Sequence, residues 1–497
     1  MKRTHGILSL LLLLAIAGLA GCTVGPNYKR PSVDVPGAYR GVAPDASDKE
    51  YTPPQPAAAQ PSTAPGAQPQ QAKPEEQPTP QSLGDEKWWE VFQDPALQEL
   101  IRTALKNNYD VRIAATRVLQ GQAQLGITRA DQFPSLGAGA NITSVRNPTI
   151  GPIPAYEFTT GEITATAAWN LDFWGKYRRA TEAARANLLA SEWSRRQVIS
   201  TLVASVASSY FQLRQLDLAL DISRRTLASR KESLELTSLL TEHGIDTMLD
   251  QRQAEELVYT ASAQIPDLER QVAQQENNIS LLLGNNPGPI ARGLKLAEQP
   301  HAPEVPAGLP SSLLERRPDI RQVEAELIAA NARIGVARAA YFPQISLTGT
   351  AGFQSSALSN LFTGEQGVWS LVGGLTQPIF EGGRLKSNVR LAEAQQQQML
   401  LTYQQTIKGA FRDVANALVA YRKNREFRIE QEKLTAASQD AARLSEMRFK
   451  AGVSDYLEVL TNETNYFSNE LTLAQARFSE VQALVQLYQV LGGGWQE

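Results

Sequence analysis

The chain has 497 residues, 42% hydrophobic and 20% charged, so most of it is able to fold and there is room for more than one domain. A formal net charge of −3 gives no electrostatic footprint for nucleic acid, and we expect no nucleic-acid partner. The single cysteine excludes an intrachain disulfide and a zinc site built on several thiolates, and the three histidines are scattered, so no metal site is expected.

The chain begins with the features of a signal peptide. Lys2 and Arg3 precede an apolar run over residues 7–20 that is too short for a stable membrane span. The run ends in Leu-Ala-Gly before Cys22, which resembles a bacterial lipobox, so we expect cleavage there and an S-diacylglycerol and an N-acyl chain on Cys22. Thr23, rather than an Asp, follows, which favours sorting to the outer membrane. The alternative is a secretory leader with a chance cysteine.

A linker separates this start from the rest of the chain. It is rich in Pro, Ala and Gln and has little apolar surface to bury, which predicts a disordered or polyproline-like tether. We predict the following domains: signal peptide 1–21, lipidated N-terminal segment 22–42, linker 43–82, first structural repeat 88–300 and second structural repeat 311–495.

The two repeats are visible as recurring motifs. Asp110-Val111-Arg112 recurs 209 positions later as Asp319-Ile320-Arg321, and Leu283-Gly284 recurs 208 positions later as Leu491-Gly492. Chance is a poor explanation of several matches at a nearly constant offset. Each half is predicted to contain a helix, two strands and a long helical hairpin.

The predicted strands alternate between apolar and polar residues with a period of two. The polar face carries only small uncharged residues, as a water-filled lumen would, and about ten residues per strand suits a tilted span of a bilayer. The alternative is a water-soluble sheet packed on helices. The four alternating segments are 135–143, 163–171, 345–354 and 369–376.

Four strands cannot form a closed barrel, and a sheet with open edges in lipid would leave backbone groups without hydrogen-bond partners. We therefore expect the strands to close between copies of the chain. Two copies would give eight strands and a filled interior, and three would give twelve strands with room for a channel.

Two long stretches predict helices of about 68 residues. Residues 176–243 contain neither Gly nor Pro. Residues 384–451 contain a single Gly, Gly409, and no Pro. A seven-residue apolar repeat runs along both stretches, which indicates helices packed in a left-handed supercoil. A long structural coiled coil is the alternative. The repeat consists of Ile199, Val206, Leu213, Leu220, Leu227 and Leu234 in the first stretch, and of Leu400, Ile407, Val414 and Tyr421 in the second.

Several motifs together resemble the outer-membrane efflux lipoproteins of the NodT group, over nearly the whole chain after the signal peptide except the linker. They are Cys22-Thr23-Val24-Gly25-Pro26-Asn27-Tyr28, Arg316-Arg317-Pro318-Asp319-Ile320-Arg321, Tyr341-Phe342-Pro343, Pro378-Ile379-Phe380-Glu381-Gly382-Gly383-Arg384 and Leu491-Gly492-Gly493-Gly494-Trp495.

This resemblance implies a mainly α fold with a membrane β-barrel portion. In the TolC-like arrangement, a homotrimer forms a twelve-stranded barrel, with four strands from each chain, on a long periplasmic α-helical barrel. The implied function is the passive exit duct of a tripartite pump for drugs or other small molecules. Its partners would be a periplasmic adaptor and an inner-membrane resistance-nodulation-division transporter. Such a duct is lipid-anchored in the outer membrane, spans it, and is not an enzyme.

The resemblance also assigns the site residues. The turns between the long and the returning helices would meet the adaptor: Gly244, Ile245, Asp246 and Thr247 in one turn, and Gly452, Val453 and Ser454 in the other. Val453 and Leu457 match the family's apolar constriction. The acidic residue usual in relatives is replaced by Thr461, so Asp455, Glu458 or Glu463 would have to supply a carboxylate ring. A plain helix reversal and a solvated acidic face are the alternatives.

Other functions remain open from the sequence. The same architecture could serve type I protein secretion or metal-ion efflux, although only four methionines are present. A lipid-anchored coiled-coil scaffold without a pore would explain the helices, but it has no use for the alternating strands. An enzyme has the least support, because no catalytic constellation is recognisable.

Overall fold

A computed structural model describes residues 23–39, 82–299 and 310–496. The predicted signal peptide, Cys22 and nearly all of the linker lie outside the described residues. The chain divides into two compact units. The first contains the described parts of residues 1–33, 115–193 and 321–405, and the second contains those of 34–114, 194–320 and 406–497.

Within the described residues the secondary structure is mostly helical, and the two longest helices have 67 residues each, as the absence of Gly and Pro predicts. No helix in the described ranges has both the length and the apolar character needed to cross a membrane. The helices are α1 (Trp88–Val91), α2 (Pro95–Asn107), α3 (Tyr109–Ala130), α4 (Lys176–Glu242), α5 (Met248–Leu282), α6 (Pro310–Arg316), α7 (Pro318–Ala339), α8 (Arg384–Lys450) and α9 (Tyr456–Val490). The strands are β1 (Ser135–Asn147), β2 (Tyr156–Leu171), β3 (Gln344–Ser355) and β4 (Gly367–Thr376).

The first unit contains one antiparallel sheet in the order β1-β2-β3-β4, so the four alternating segments are confirmed as strands. Its register is set by pairs such as Leu136 with Ala167. Leu171, the last residue of β2, pairs with Ile345 near the start of β3. Thr376, the last residue of β4, pairs with Gln344, the first residue of β3. These strand ends therefore lie together at one end of the sheet, which we call the helix end because α4 and α8 begin there.

Helices of the first unit pack through small residues. Ala183 and Ala186 of α4 and Ala329 and Ala332 of α7 are buried in one cluster, and their short side chains let the two helices approach closely. Ile328 of α7, which is half-buried, packs against this cluster of alanines.

The segment that follows Cys22 packs on the same two helices. An ion pair of 3.0 Å joins Arg30 to Glu324, Arg179 donates to the side chain of Asn27 at 2.7 Å, and the Asn331 amide donates to the Pro26 carbonyl. The chain next to the predicted lipid site is thus fixed by specific polar contacts.

The seven-residue repeat forms the core of the second unit. Val206 and Leu213 of α4 and Ile407 and Val414 of α8 are completely buried. Further along α4, towards its turn into α5, Leu227 is only half-buried. Nearer the turns, Leu234 of the repeat packs against a separate buried cluster formed by Ala254, Tyr456 and Val459.

Near the start of the second unit, one buried carboxylate connects three segments. The side chain of Asp94 caps α2 by accepting from Ala96 N, and it also accepts from the Tyr210 hydroxyl at 2.8 Å and from Leu294 N at 3.0 Å. Because every such bond to a buried carboxylate offsets its desolvation, this group stabilises the contact of α2 with α4.

Candidate functional site

The turn between α4 and α5, which we call the first tip, is a Schellman-type reversal. Gly244 has φ +74°, a left-handed conformation that glycine adopts without strain. Ile245 N donates back to the Leu240 carbonyl at 2.9 Å. Thr247 and Asp250 then form a capping box, in which each side chain accepts from the other residue's backbone N–H. The first tip is therefore held at both helix ends.

The turn between α8 and α9, the second tip, repeats the same backbone. Gly452 has φ +69°, and Val453 N donates to the Arg448 carbonyl at 3.0 Å. Asp455 is the N-cap residue of α9, but within the described structure its side chain makes no capping hydrogen bond. An ion pair of 3.3 Å between Arg448 and Glu458 connects the two helices instead.

Equivalent positions of the two tips each contain a buried polar atom. Asp246 Oδ2 and Ser454 Oγ are both shielded from solvent, and neither has a hydrogen-bond partner among the described residues. Burial raises the pKa of the Asp246 carboxyl, and the nearby Asp250 raises it further. Only the first tip thus places a titratable group at this position.

Both tips expose apolar side chains to solvent. In the first tip Ile245 is 71% exposed, and Met248 and Leu249 are exposed beside it. In the second tip Val453 is 67% and Leu457 is 55% exposed. Exposed apolar groups clustered at a helix turn are suited to contact another protein surface or another copy of the chain.

The three candidate acidic residues have different surroundings. Asp455 is exposed, Glu458 is occupied by its ion pair with Arg448, and burial raises the pKa of the Glu463 carboxyl. Thr461 is exposed, and its hydroxyl donates to the Leu457 carbonyl at 2.9 Å. The structure therefore leaves Asp455 as the acid best exposed for a carboxylate ring, while the assignment of the gate residues remains a prediction.

Sequence reasoning missed a buried arginine behind the second tip. Arg230 of α4 is 2% exposed, donates to the Leu257 carbonyl of α5 at 2.8 Å, and lies 4.9 Å from the ring centre of Phe467 on α9. It follows Leu227 of the apolar repeat by three residues, and this spacing is the signal that could have placed it in the seam. Arg230 thus links the first hairpin to α9.

In the described parts of the chain, no group of three or more His, Cys, Asp or Glu side chains is arranged to hold a metal ion. The tips offer instead paired apolar surfaces, buried polar atoms and one interhelical ion pair. Such tips can bind the surface of a partner protein, and their helices can repack when they do so.

Comparison with known proteins agrees with these features. The family model described as outer membrane efflux protein matches residues 100–285 and again 309–493. TtgC of Pseudomonas putida, named as the outer membrane protein of a toluene efflux pump, is 36% identical over 499 residues, which cover 99% of this chain and 96% of that protein. SilC of Salmonella typhimurium, named as a probable outer membrane lipoprotein, is 34% identical over 496 residues, which cover 99% of each protein.

The fold also has solved counterparts. The structure of the outer-membrane channel OprN matches with a TM-score of 0.83 and 29% identity, covering 96% of this chain and 100% of that one. The family model matches both halves of the chain and therefore most of its length. The chain belongs to the outer membrane efflux protein family and has the TolC-like fold of its channels.

Proposed function

We propose that this outer membrane efflux protein works as the homotrimeric exit duct of a tripartite pump. It lies in the cell outer membrane with most of its mass in the periplasm. It passively conducts drugs or other small molecules, and it receives them from an inner-membrane resistance-nodulation-division transporter through a periplasmic adaptor. Its relatives' names, an outer membrane protein of a toluene efflux pump among them, support this choice over a scaffold without a pore.

The observation that supports a trimer is that the sheet has two unpaired edges. Among the described strands, β1 and β4 each have a neighbour on one side only. Leu136 on β1 is 83% exposed and Trp369 on β4 is 81% exposed, so these edge strands also present large apolar side chains. In lipid, each unpaired backbone group costs several kcal/mol. Pairing β4 of one copy with β1 of the next removes both edges, and three copies give twelve strands around a channel.

The tips supply the two periplasmic functions. We assign the adaptor contact to both turns, namely Gly244, Ile245, Asp246 and Thr247 in the first and Gly452, Val453 and Ser454 in the second. We assign the gate to the second tip, where exposed Val453 and Leu457 of three copies would converge into an apolar constriction. Asp455 and Glu458 stand next to this ring.

Opening then requires the second hairpin to move away from the channel axis. The moving parts would be α8 and α9, whose turn is joined across by the Arg448–Glu458 ion pair of 3.3 Å. Exposed ion pairs contribute only about 0 to 1 kcal/mol, so this link is weak enough for adaptor binding to rearrange it. The energy for transport comes from the partners, and we propose that the duct itself is not an enzyme and needs no cofactor.

We also propose that a lipid anchors the chain in the outer membrane. We assign an S-diacylglycerol and an N-acyl chain to Cys22, which precedes the first described residues. Val24 N donates to the Trp174 carbonyl at 3.1 Å at the helix end of the sheet. Acyl chains on the residue two positions earlier would therefore start close to the sheet and could enter the periplasmic leaflet.

Light scattering of the lipidated protein in detergent tests the duct. Three chains per particle are expected, after correction for bound detergent, together with channel conductance in a planar bilayer. A stable monomer would leave β1 and β4 with open edges, and a scaffold without a pore would then be the better interpretation.

A further inference from the structure

We propose that the connector between β4 and α8 carries a second membrane anchor, in which Ile379 and Phe380 insert into the periplasmic leaflet of the outer membrane. We call these two residues the apolar pair. The inference rests on the outer-membrane location of the protein and, for its test, on the lipidation of Cys22 proposed above.

The apolar pair is unusually exposed. Ile379 is 95% exposed and Phe380 is 89% exposed, the two highest values among the large apolar side chains of the described residues. Burying such a side chain is worth about 1.5–3 kcal/mol. Two adjacent side chains in water therefore represent a substantial cost unless something outside this chain covers them.

The corresponding connector of the first repeat shows what an internally packed version looks like. Residues 171–175 precede α4 just as 379–383 precede α8, 208 positions later. Trp174 stacks on Phe342 at 4.7 Å between ring centres and donates from Nε1 to the Pro343 carbonyl at 2.8 Å. The first connector, which contains Phe173 and Trp174, thus half-buries both aromatic side chains and packs Trp174 within the first unit, whereas the apolar pair of the second connector is almost fully exposed.

The backbone of the second connector holds the apolar pair at a defined place. Gly382 and Gly383 have φ +57° and +87°, left-handed conformations that other residues adopt only with strain, and α8 begins directly after them. Glu381 and Arg384 form an ion pair of 2.7 Å across this turn. An apolar pair followed at once by a charged pair is the order of residues expected where a chain leaves the acyl region for the headgroups.

The sheet register places the apolar pair close to the helix end of the sheet. Thr376 ends β4 at the helix end of the sheet, so Ile379 and Phe380 follow within four residues. At the same end, Thr23 packs against Gly175, and Thr23 adjoins Cys22. Exposed Phe133, 58%, lies in the connector before β1 and also belongs to this end. Aromatic residues at the edge of a membrane sheet are typical of the lipid–water interface.

These arguments favour lipid over a second copy as the occupant. The apolar pair continues the exposed apolar surface of β4, where Trp369 and Leu371 are both exposed. That strand face would lie in lipid if the sheet spans the membrane. The proposed lipid on Cys22 would enter the same leaflet at the same end of the sheet, so the duct would be anchored at two points.

Site-directed spin labelling tests the inference, because Cys22 is the chain's single cysteine and its thiol would be blocked by the lipid. Phe380→Cys and Ile379→Cys each introduce one free thiol. Both side chains are almost fully exposed, so these variants are expected to fold. His243→Cys, beside the first tip, is the control, since that polar residue is exposed and belongs to neither the proposed gate nor the proposed adaptor contact.

The measurement is the accessibility of each label to oxygen and to a water-soluble nickel chelate, in liposomes of phosphatidylethanolamine and phosphatidylglycerol. We expect an oxygen-to-nickel ratio several-fold higher at 379 and 380 than at 243. High nickel accessibility at 380 would place the pair in water, and low accessibility to both reagents would place it against another copy. Either result overturns the proposal. If the wild-type protein takes up the spin label, its Cys22 thiol is free. That result would contradict only the proposed lipidation of Cys22.

Discussion

The first and second tips share the Schellman-type backbone hydrogen bonds and have a left-handed glycine at the same position, yet their side chains differ. The first tip has the reciprocal Thr247–Asp250 capping box, whereas Asp455 at the start of α9 makes no capping hydrogen bond in the described structure. The helices of the second tip contact each other through the exposed Arg448–Glu458 ion pair and through the rings of Phe449 and Tyr456, whose centres are 5.4 Å apart. The repeat therefore keeps the same type of turn in both halves, but among the described residues only the first tip caps its returning helix with a side-chain hydrogen bond.

The largest effect is expected from breaking the second tip alone. Leu457→Ser removes three apolar side chains from the proposed constriction of a trimer, each worth about 1.5–3 kcal/mol when buried. We expect cells to become more sensitive to a large glycopeptide antibiotic by on the order of tenfold, because the closed state loses stability. The minimum inhibitory concentration measures this at matched expression.

Ile245→Ser is the matched control in the first tip, where the side chain is 71% exposed. We expect it to weaken transport through loss of adaptor contact without making cells leaky. Unchanged susceptibility of the Leu457→Ser strain at equal expression would contradict the gate assignment.

The next largest effect concerns the link between the two hairpins. Arg230→Met removes the hydrogen bond to the Leu257 carbonyl and the cation–π contact with Phe467. We expect a loss of about 2–3 kcal/mol in the local stability of α9. Hydrogen exchange of residues 456–470 measures this loss.

Arg225→Met provides the comparison, because Arg225 also joins α4 to α9, through an ion pair with Glu470 at 3.2 Å, but is 60% exposed. Its loss is expected to cost less than about 1 kcal/mol. If the two substitutions have equal effects, burial of Arg230 contributes nothing to the local stability of α9.

Both tips are expected to respond to pH. Burial raises the pKa of the Glu463 carboxyl; Arg230 and Lys450 lower it and Glu446 raises it, but burial dominates. The native state then binds this proton more readily than the unfolded state, so the local free energy of unfolding falls as pH rises above the ordinary value of 4.5. We expect hydrogen exchange near both tips, corrected for its intrinsic rate, to be slower at about pH 5 than at about pH 7.

Glu463→Gln separates the two contributions. It should remove the pH dependence around α9 and leave that of the first tip, where burial raises the pKa of Asp246. If the dependence around α9 persists in this variant, another group is responsible.

The smallest effect is expected from the caps. Thr247→Ala removes a capping box and should cost about 1 kcal/mol of helix stability, measured as faster hydrogen exchange in the first turn of α5. Asp455→Ala should cost only a few tenths of a kcal/mol, because only the favourable position of its charge at the helix N-terminus is lost. If Asp455→Ala lowers helix stability more than Thr247→Ala does, the first tip is not the better capped of the two.

The sequence predicted the elements well because their signals are local. Helices over 176–243 and 384–451 are observed as Lys176–Glu242 and Arg384–Lys450, since a left-handed glycine stands next to each end of both stretches. The four alternating segments are confirmed as strands of one sheet, and the motifs identified the family. The tip glycines were found for the same local reason, since a left-handed turn favours glycine.

The sequence could not predict features that depend on distant partners. The spacing of Arg230 from Leu227 indicates a place in the apolar seam, but its partners Leu257 and Phe467 lie on two other helices and cannot be identified from the local sequence. The exposure of Ile379 and Phe380 is equally hidden, because the equivalent connector before α4 is packed. The residues that form the gate and the adaptor contact remain predictions from the resemblance.

Single-channel recording in planar bilayers tests most directly whether the second tip is the gate. Wild-type, Leu457→Ser and Ile245→Ser proteins would be compared under identical conditions, without adaptor or transporter. The account predicts a longer open time for Leu457→Ser than for wild type and no change for Ile245→Ser. Equal open times for the two variants would contradict the assignment of the gate to the second tip.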